Sequence, residues 1–338
     1  MGEILSGDSK PIGLAIETSC DETAVAVLRG HDDLLASEVW SQASIHSEYG
    51  GVVPEVASRN HGDALPKLVL TALRRAGIEL SAIDHFSATT GPGLPAALLV
   101  GVALAKSLAI ARARPFLAIN HLEGHLLSPF FGDATITPHV ALVVSGGHTL
   151  LVDVKGYGES SILGTTVDDA AGEAFDKVAK LLGLGYPGGV EIDRLASEGD
   201  AARYDFPRSM LHSGDFQFSF SGLKTAVRYC FDRERAALPD ACASFQEAVV
   251  DVLIGKAERA LEQTGRTCLA LSGGVSSNRR LRERAEDLTQ RRGINLRLAA
   301  PALRTDNAAM IAFVASHQYP TRGGSPLDTD ITPTFRGF

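Results

Sequence analysis

The sequence predicts a duplicated α/β fold made of two related lobes. Residues 13–28 read as an apolar strand, a polar turn and an alternating strand, and residues 139–154 repeat that order. Later in each half, a short apolar strand enters a glycine turn and then a helix, first at residues 86–113 and again from residue 268. Because the same succession occurs twice, we interpret the chain as two copies of one α/β unit.

The join between the copies is predicted at residues 128–138, where Pro, Gly and Asp cluster. The predicted N-terminal lobe is residues 1–133 and the C-terminal lobe residues 134–307, with a helix at about residues 308–320 packing back on the first lobe. Two lobes with facing hairpin turns enclose a cleft of nucleotide size, where we expect the functional site.

Composition indicates a soluble globular protein. The chain has 338 residues, is 45% hydrophobic and 21% charged, and carries a formal net charge of −8. Its longest apolar stretch, residues 96–113, is interrupted by Lys106 and falls short of the roughly 20 residues of a membrane helix. The first ten residues have no apolar core, so we predict neither a secretory signal nor membrane association, and a cytoplasmic location.

Cysteine usage argues against a disulfide framework or a thiolate metal site. The four cysteines, at positions 20, 230, 242 and 268, are scattered without a Cys-x-x-Cys pair. The acidic net charge also gives the whole molecule little attraction for a polyanion, so a nucleic-acid substrate requires a local basic surface or a partner protein.

The first half contains the predicted hairpin, a third strand at residues 34–40 and a helix at residues 63–76 that ends at Gly77. A strand at residues 86–90 then enters the turn 91–93 and the apolar helix. Next, residues 115–119 form a buried strand that leads directly to Asn120, His121 and His125.

His121 and His125 are four residues apart, so on a helical turn they share one face. Two imidazoles at this spacing suit one divalent metal such as zinc or iron, although capping or core histidines have the same pattern. A zinc peptidase would need Glu directly after the first His or directly before the second. Leu122 and Gly124 occupy those places, so the spacing argues against a peptidase.

Two glycine-containing turns favour phosphate. Residues 145–149, Ser-Gly-Gly-His-Thr, follow a strand, and residues 272–275 lead from a strand into a helix at about Asn278. Exposed backbone N–H groups and a helix N-terminus both bind phosphate oxygens. A single Gly-Gly turn usually just reverses the chain, but two at equivalent places predict a nucleotide site.

Acidic residues near a second glycine-rich segment are candidates for ribose binding. Asp176 precedes the segment 185–189 and Asp193 follows it, so both carboxylates are placed to accept ribose hydroxyls. Residues 216–225 alternate Phe and Ser before Lys224, and we interpret them as an exposed loop whose lysine either approaches a substrate or is simply solvated.

The C-terminal part of the sequence contains an arginine-rich segment and a candidate metal ligand. Residues 279–297 hold seven arginines mixed with acidic residues, a solvated helix face that is also the best candidate basic surface. Asp306 precedes a clear helix at residues 308–316, where Asp is usually a cap, yet it also offers the third ligand of a His, His, Asp metal site.

Together these segments resemble the tRNA adenosine threonylcarbamoyltransferase family, whose members were formerly called O-sialoglycoprotein endopeptidases. The matching segments run along the whole chain and are residues 17–23, 51–59 with His61, 91–94, 120–125, 144–149, 168–177, 186–189, 220–225 and 305–307. The resemblance implies an actin/sugar-kinase/Hsp70-like fold with nucleotide and metal sites in the cleft between the lobes.

The resemblance also implies a reaction: transfer of threonylcarbamoyl from threonylcarbamoyl-AMP to the exocyclic amine of the tRNA adenosine just 3′ of the anticodon. It implies one divalent metal, iron or alternatively zinc, and a site that ATP or AMP also occupies. The implied partners are tRNA, a paralogous actin-like subunit and a small P-loop ATPase. The implied metal ligands are His121, His125 and Asp306, and the implied adenylate-binding residues are Val143, Val144, Ser145, Gly146, Gly147, Asp176, Gly189, Asp193 and Asn278.

The chain departs from the family pattern at Arg304, where Cys is common, and at Ser276 and Ser277, where alanine is common. A mixed anhydride with AMP is already activated, so positioning and charge stabilisation suffice for the transfer. Glu17 and His148 are the candidates for a general base. The alternatives are a small-molecule or carbamate kinase and a non-catalytic nucleotide-binding scaffold.

Overall fold

A computed structural model describes residues 10–47, 49, 51–234, 237–335 and 337. Residues 1–9, on which the expectation of no signal sequence depends, lie outside this description. The described chain forms two compact units. Unit 1 contains the described residues up to Leu127, residues 131–134 and residues 306–335; unit 2 contains residues 128–130 and the described part of 135–305.

Unit 1 is built on a mixed sheet with, in its described part, the strand order β3-β2-β1-β4-β5. Strands β1 and β2 form the predicted hairpin, while β4 and β5 run parallel to β1. The elements in chain order are β1 (Ile12–Glu17), β2 (Glu22–Arg29), β3 (Asp33–Ser41), α1 (Ala43–Ser47), α2 (Pro54–Ala76), β4 (His85–Gly91), α3 (Pro95–Arg112), β5 (Phe116–Asn120) and α4 (His121–Leu127).

Unit 2 repeats this plan with the strand order β10-β9-β6-β7-β8 in its described residues. Strands β6 and β7 form the second hairpin, and β9 and β10 run parallel to β6. Its elements are β6 (His139–Val144), β7 (Thr149–Gly156), β8 (Glu159–Thr165), α5 (Ala171–Leu181), α6 (Gly188–Ala196), α7 (Ser221–Glu234), α8 (Leu238–Thr264), β9 (Cys268–Ser272), α9 (Arg279–Arg292) and β10 (Asn295–Leu298). The final helix, α10 (Ala308–Arg322), belongs to unit 1.

Local chemistry sets the ends of the long helices. Helices α2 and α3 each have proline at the first position, where the missing N–H costs nothing. Helix α2 ends at Gly77, whose φ of 66° needs no strain in glycine. The two apolar cores explain the strand sequences: β1 and β6 are buried along almost their whole length, which is why they read as unbroken apolar runs.

The predicted exposed loop at residues 216–225 is wrong in two respects. Phe216, Phe218 and Phe220 are buried in the core of unit 2, and α7 begins at Ser221. The helix starts there because the Asp168 carboxylate caps it, accepting from the Phe220 N–H at 2.8 Å and from the Ser221 hydroxyl at 2.6 Å. A cap supplied from 53 residues away leaves no local signal in the sequence.

Helix α3 is, among the described residues, the one helix long and apolar enough to cross a membrane, with a mean hydropathy of 1.5. A core helix of a soluble protein meets the same criterion. Here α3 packs against β1, β4 and α2 of unit 1, and its Lys106 ammonium donates to the Thr329 carbonyl at 2.6 Å. Its buried residues therefore belong to the core of unit 1, while Leu99 and Ile110 of the same helix are exposed.

Acid is expected to destabilise unit 1 through His85. Burial lowers the pKa of this histidine to about 4, from 6.5, so the folded protein keeps it neutral where the unfolded chain would bind a proton. The free energy of unfolding should therefore fall as pH drops from 6.5 to 4, by up to about 3 kcal/mol from this group. Urea denaturation at pH 7 and pH 4.5 tests this: the difference between the two pH values should shrink in His85→Gln. If His85→Gln and wild type show the same difference in free energy of unfolding between the two pH values, other groups cause the acid sensitivity.

Candidate functional site

The histidine pair is positioned by the end of a strand. Strand β5 ends at Asn120, whose side-chain Oδ1 accepts from the Leu122 N–H at 2.8 Å and so starts α4. His121 and His125 are consequently one turn apart and both buried, with ring centroids 4.8 Å apart and ring planes perpendicular.

Asp306 meets both histidines within unit 1. Its Oδ1 lies 3.1 Å from His125 Nε2 and 3.4 Å from His121 Nε2. Although we expected Asp306 at the end of the second lobe, it belongs to unit 1 because α10 packs on β1, β2 and α4. The helix cap is the neighbouring Asn307, which accepts from the Met310 N–H at 2.9 Å, so the Asp306 carboxylate faces the histidines instead.

Glu17 lies behind His121. Its Oε2 is 3.0 Å from His121 Nδ1 and accepts from the Thr89 hydroxyl at 2.5 Å. Burial alone would raise the pKa of Glu17 and lower that of His121. The charge pairing outweighs it, so the pKa of Glu17 is lowered, and Asp306 together with Glu17 raises the pKa of His121 well above its usual value.

The donor set fits a divalent transition metal. Ligand atoms of His121, His125 and Asp306 lie within 4.8 Å of one another. Two imidazoles and one carboxylate suit iron or zinc, and three protein ligands leave coordination positions open for a substrate. The contact of Glu17 with Nδ1 leaves Nε2 of His121 directed at Asp306, and metal-binding histidines are typically oriented by a carboxylate in this way. Glu17 is one of the two residues that the sequence offered as candidate bases, and in the structure its carboxylate contacts His121 Nδ1.

In unit 2, the turn after β6 presents two exposed glycines. Val143 and Val144 are buried in the strand, whereas Gly146 and Gly147 are exposed. The turn is closed by a hydrogen bond from the Ser145 N–H to the His148 carbonyl at 2.8 Å. The Gly172 N–H donates to the Ser145 carbonyl at 3.2 Å, which joins the first turn of α5 to the same loop.

The predicted ribose carboxylates occupy two places in unit 2. Asp176 Oδ1 accepts from the Gly188 N–H at 2.8 Å, at the start of α6. Burial raises the pKa of Asp176, and the N–H groups of Gly188 and Gly189 oppose this effect only in part. Asp193 lies near Arg279, whose N–H donates to Oδ2 at 3.4 Å. Burial raises the pKa of Asp193 as well.

Asn278 and Gln246 form a contact that sequence reasoning missed. Asn278 caps α9 by accepting from the Leu281 N–H at 2.9 Å, and its side-chain amide donates to Gln246 Oε1 at 2.7 Å. Gln246 is buried in α8, and its side chain also acts to lower the pKa of Asp193, against the larger effect of burial. Nothing in the sequence marks it, because a glutamine inside an apolar helix is recognisable only once its partners are known.

Ser276 has a hydroxyl that is buried without a hydrogen-bond partner among the described residues. An unsatisfied buried hydroxyl destabilises a fold by about 1 kcal/mol or more. We therefore expect Ser276→Ala to raise the free energy of unfolding by about 1 kcal/mol in urea denaturation. Ser277→Ala is the matched control, since Ser277 is exposed and its change should leave stability as it is. A destabilised Ser276→Ala variant would contradict the assignment.

The family model for tRNA N6-adenosine threonylcarbamoyltransferase matches residues 33–313. A protein of that name from Pelobacter propionicus is 49% identical over 327 residues, covering 95% of this chain and 96% of its own length. Another, from Aromatoleum aromaticum, is 53% identical over 331 residues, covering 96% and 95% respectively.

Solved structures at low identity show the same fold. T. kodakarensis HypF superimposes with a TM-score of 0.65 at 15% identity, covering 93% of this chain and 48% of HypF, so the chain spans about half of that protein. Component A of the Acidaminococcus fermentans (R)-2-hydroxyglutaryl-CoA dehydratase gives 0.54 at 14% identity, covering 90% and 98%. The predicted two-lobe α/β fold of the actin/sugar-kinase/Hsp70 type is confirmed. On the match of the family model and of relatives along nearly the whole chain, this protein belongs to the tRNA N6-adenosine threonylcarbamoyltransferase family.

Proposed function

We propose that this protein transfers the threonylcarbamoyl group from threonylcarbamoyl-AMP to the N6 amine of the tRNA adenosine just 3′ of the anticodon, in tRNAs that read codons beginning with A. The observation that carries the proposal is about 50% identity, along nearly the whole chain, to relatives named for this transfer. The His121, His125 and Asp306 cluster supports it, because a kinase or a nucleotide-binding scaffold has no need of such a ligand set.

The reaction exchanges one acyl bond for another. The N6 nitrogen attacks the carbamoyl carbon, the bond from that carbon to the phosphate oxygen breaks, AMP leaves with the electron pair, and the amine loses a proton. The N–H groups of Gly146 and Gly147 are proposed to hold the phosphate, with Asp176, Gly189, Asp193 and Asn278 around the nucleoside. AMP is a good leaving group, so orientation of the donor supplies most of the catalysis.

The metal is proposed to be iron, with zinc as the alternative. His121, His125 and Asp306 would hold it, and when bound it supplies a Lewis acid for an oxygen of the threonylcarbamoyl group. Glu17 keeps His121 in the orientation that presents Nε2. The partners are proposed to be a paralogous actin-like subunit and a small P-loop ATPase, acting in the cytoplasm where tRNA is modified.

Transfer of labelled threonine tests the function directly. Purified protein is supplied with threonylcarbamoyl-AMP and unmodified tRNA, with and without the candidate partner proteins. Label in the tRNA is the expected result, and label that appears only with partners identifies this chain as the catalytic subunit of an assembly. If metal and AMP bind but no label is transferred under either condition, while ATP phosphorylates a small molecule, the kinase alternative replaces the proposal.

A further inference from the structure

After α10 the chain turns back along the outer edge of the sheet in unit 1; residues 325–333 are called the C-terminal segment. Strand β5 is the last strand in the described order of that sheet, and its Phe116 carbonyl accepts from the Ser325 N–H at 2.7 Å. The Ser325 hydroxyl in turn accepts from the Ala118 N–H at 3.0 Å. Backbone groups at a sheet edge need partners of this kind, so the segment begins by covering part of that edge.

Further along, the C-terminal segment is bound to α3 and to the end of β4. The Lys106 ammonium of α3 donates to the Thr329 carbonyl at 2.6 Å. The Thr332 N–H donates to the Thr90 carbonyl at 2.7 Å, and a Cβ at Gly91 would overlap the Thr332 carbonyl oxygen. Because only glycine permits so close an approach, the residue that starts the turn after β4 is suited to the segment that crosses it.

The turn at residues 91–93 connects the C-terminal segment to Ser19. On one side, the Gly93 N–H donates to the Pro333 carbonyl at 3.0 Å. On the other, the Leu94 N–H donates to the Ser19 carbonyl at 2.8 Å, and a Cβ at Gly93 would lie 2.6 Å from that same carbonyl oxygen. Because the turn is packed between the segment and Ser19, a displacement of the segment displaces Ser19 as well.

Ser19 is buried and contacts the ring nitrogen of His121 that does not face Asp306. Its hydroxyl oxygen lies 3.2 Å from His121 Nδ1, and its N–H donates to Glu17 Oε1 at 2.5 Å. Glu17 Oε2 lies 3.0 Å from the same Nδ1. Two oxygens beside Nδ1 favour a proton on that nitrogen, so a bound metal takes Nε2. Ser19 therefore acts on the orientation of His121 both directly and through Glu17.

We propose that the C-terminal segment positions His121 for metal binding, acting through the turn at residues 91–93 and Ser19. This inference rests on the proposed function, since it takes His121, His125 and Asp306 as the metal ligands. It gives a role to a segment that residue types alone do not mark, because most of the contacts involved are made by backbone groups. The segment is a positioning element, since it reaches the ligand only through other residues.

The test measures zinc affinity of the full chain by competition with a chelating dye, without tRNA or donor. Lys106→Met removes the ammonium that holds the Thr329 carbonyl and keeps the aliphatic part of the side chain. Thr332→Pro removes the N–H that donates to Thr90. Each variant should bind zinc about three- to tenfold more weakly, a smaller loss than the roughly 10- to 100-fold typical of direct partners of a metal-binding histidine. Lys67→Met, which changes an exposed lysine of α2 in the same unit, is the matched control and should bind zinc as wild type does. Wild-type affinity in either segment variant would overturn the proposal.

Ser19→Ala separates positioning of His121 from a purely structural role of the segment. If the segment acts through Ser19, Lys106→Met should weaken zinc binding less in the Ser19→Ala protein than in wild type. Equal losses of affinity in the two proteins would overturn the proposal, and so would a lower melting temperature of Lys106→Met with unchanged zinc affinity. Failure of the proposed function appears separately, as a wild-type protein that binds zinc but transfers no threonylcarbamoyl to tRNA.

Discussion

Replacing His125 with alanine is expected to remove the bound metal and to lower threonylcarbamoyl transfer by about 100-fold or more. His125 Nε2 lies 3.1 Å from Asp306 Oδ1, so its loss leaves one imidazole and one carboxylate, too few protein ligands to retain a metal at this site. Metal content by elemental analysis and single-turnover transfer are the two measurements, made on the same preparation.

Because His125 is fully buried, its truncation also leaves a cavity, and lost activity alone would not identify a ligand. Asp306→Asn answers this, since it keeps the volume and removes only the carboxylate charge. His31→Ala is the matched control: His31 is a unit 1 histidine that stacks on His317 at 4.3 Å and bonds the Ser316 hydroxyl at 2.8 Å. Asp306→Asn should lose metal and transfer, and His31→Ala should keep both. Full transfer by a metal-free Asp306→Asn protein would show that the cluster is structural.

The spacing of His121 and His125 predicted their shared face correctly because α4 is a local structure, started by the adjacent Asn120. Strands β1 and β6 could also be predicted from the sequence, because buried strands appear in it as runs of apolar residues. Asp306 was predicted as the third metal ligand because of its residue type. That it belongs to unit 1 depends on how α10 packs, which the hydrophobic periodicity of the sequence does not reveal.

Contacts between distant segments explain what the sequence could not provide. Asp168 caps α7 from 53 residues away, and a helix therefore begins where the sequence predicted a loop. Gln246 approaches Asn278 from another helix, and the pairing of Arg284 with Glu247 depends on how α8 and α9 pack. In each case the residue type is ordinary, and only its partner gives it a role.

Gly172→Ala is expected to weaken AMP binding by about tenfold or more, because the substitution would push on the turn that we propose holds the phosphate. A Cβ at this position would lie 2.5 Å from the Ser145 carbonyl oxygen and 2.8 Å from Gly146 Cα. Both atoms are backbone, so the turn itself has to move. Overpacking of this kind also destabilises a fold by roughly 1–3 kcal/mol, so stability must be measured beside affinity.

Gly62→Ala provides the control for that measurement. Gly62 lies within α2, and a Cβ there would meet nothing within 4 Å, so alanine should raise the free energy of unfolding by about 0.5–1 kcal/mol through its helix propensity and leave AMP binding unchanged. Calorimetric titration with AMP at a temperature where each variant is fully folded then isolates the effect on the turn. If folded Gly172→Ala binds AMP as tightly as wild type, the phosphate does not bind at the turn of Ser145 to Gly147, and the nucleotide must be placed elsewhere in the protein.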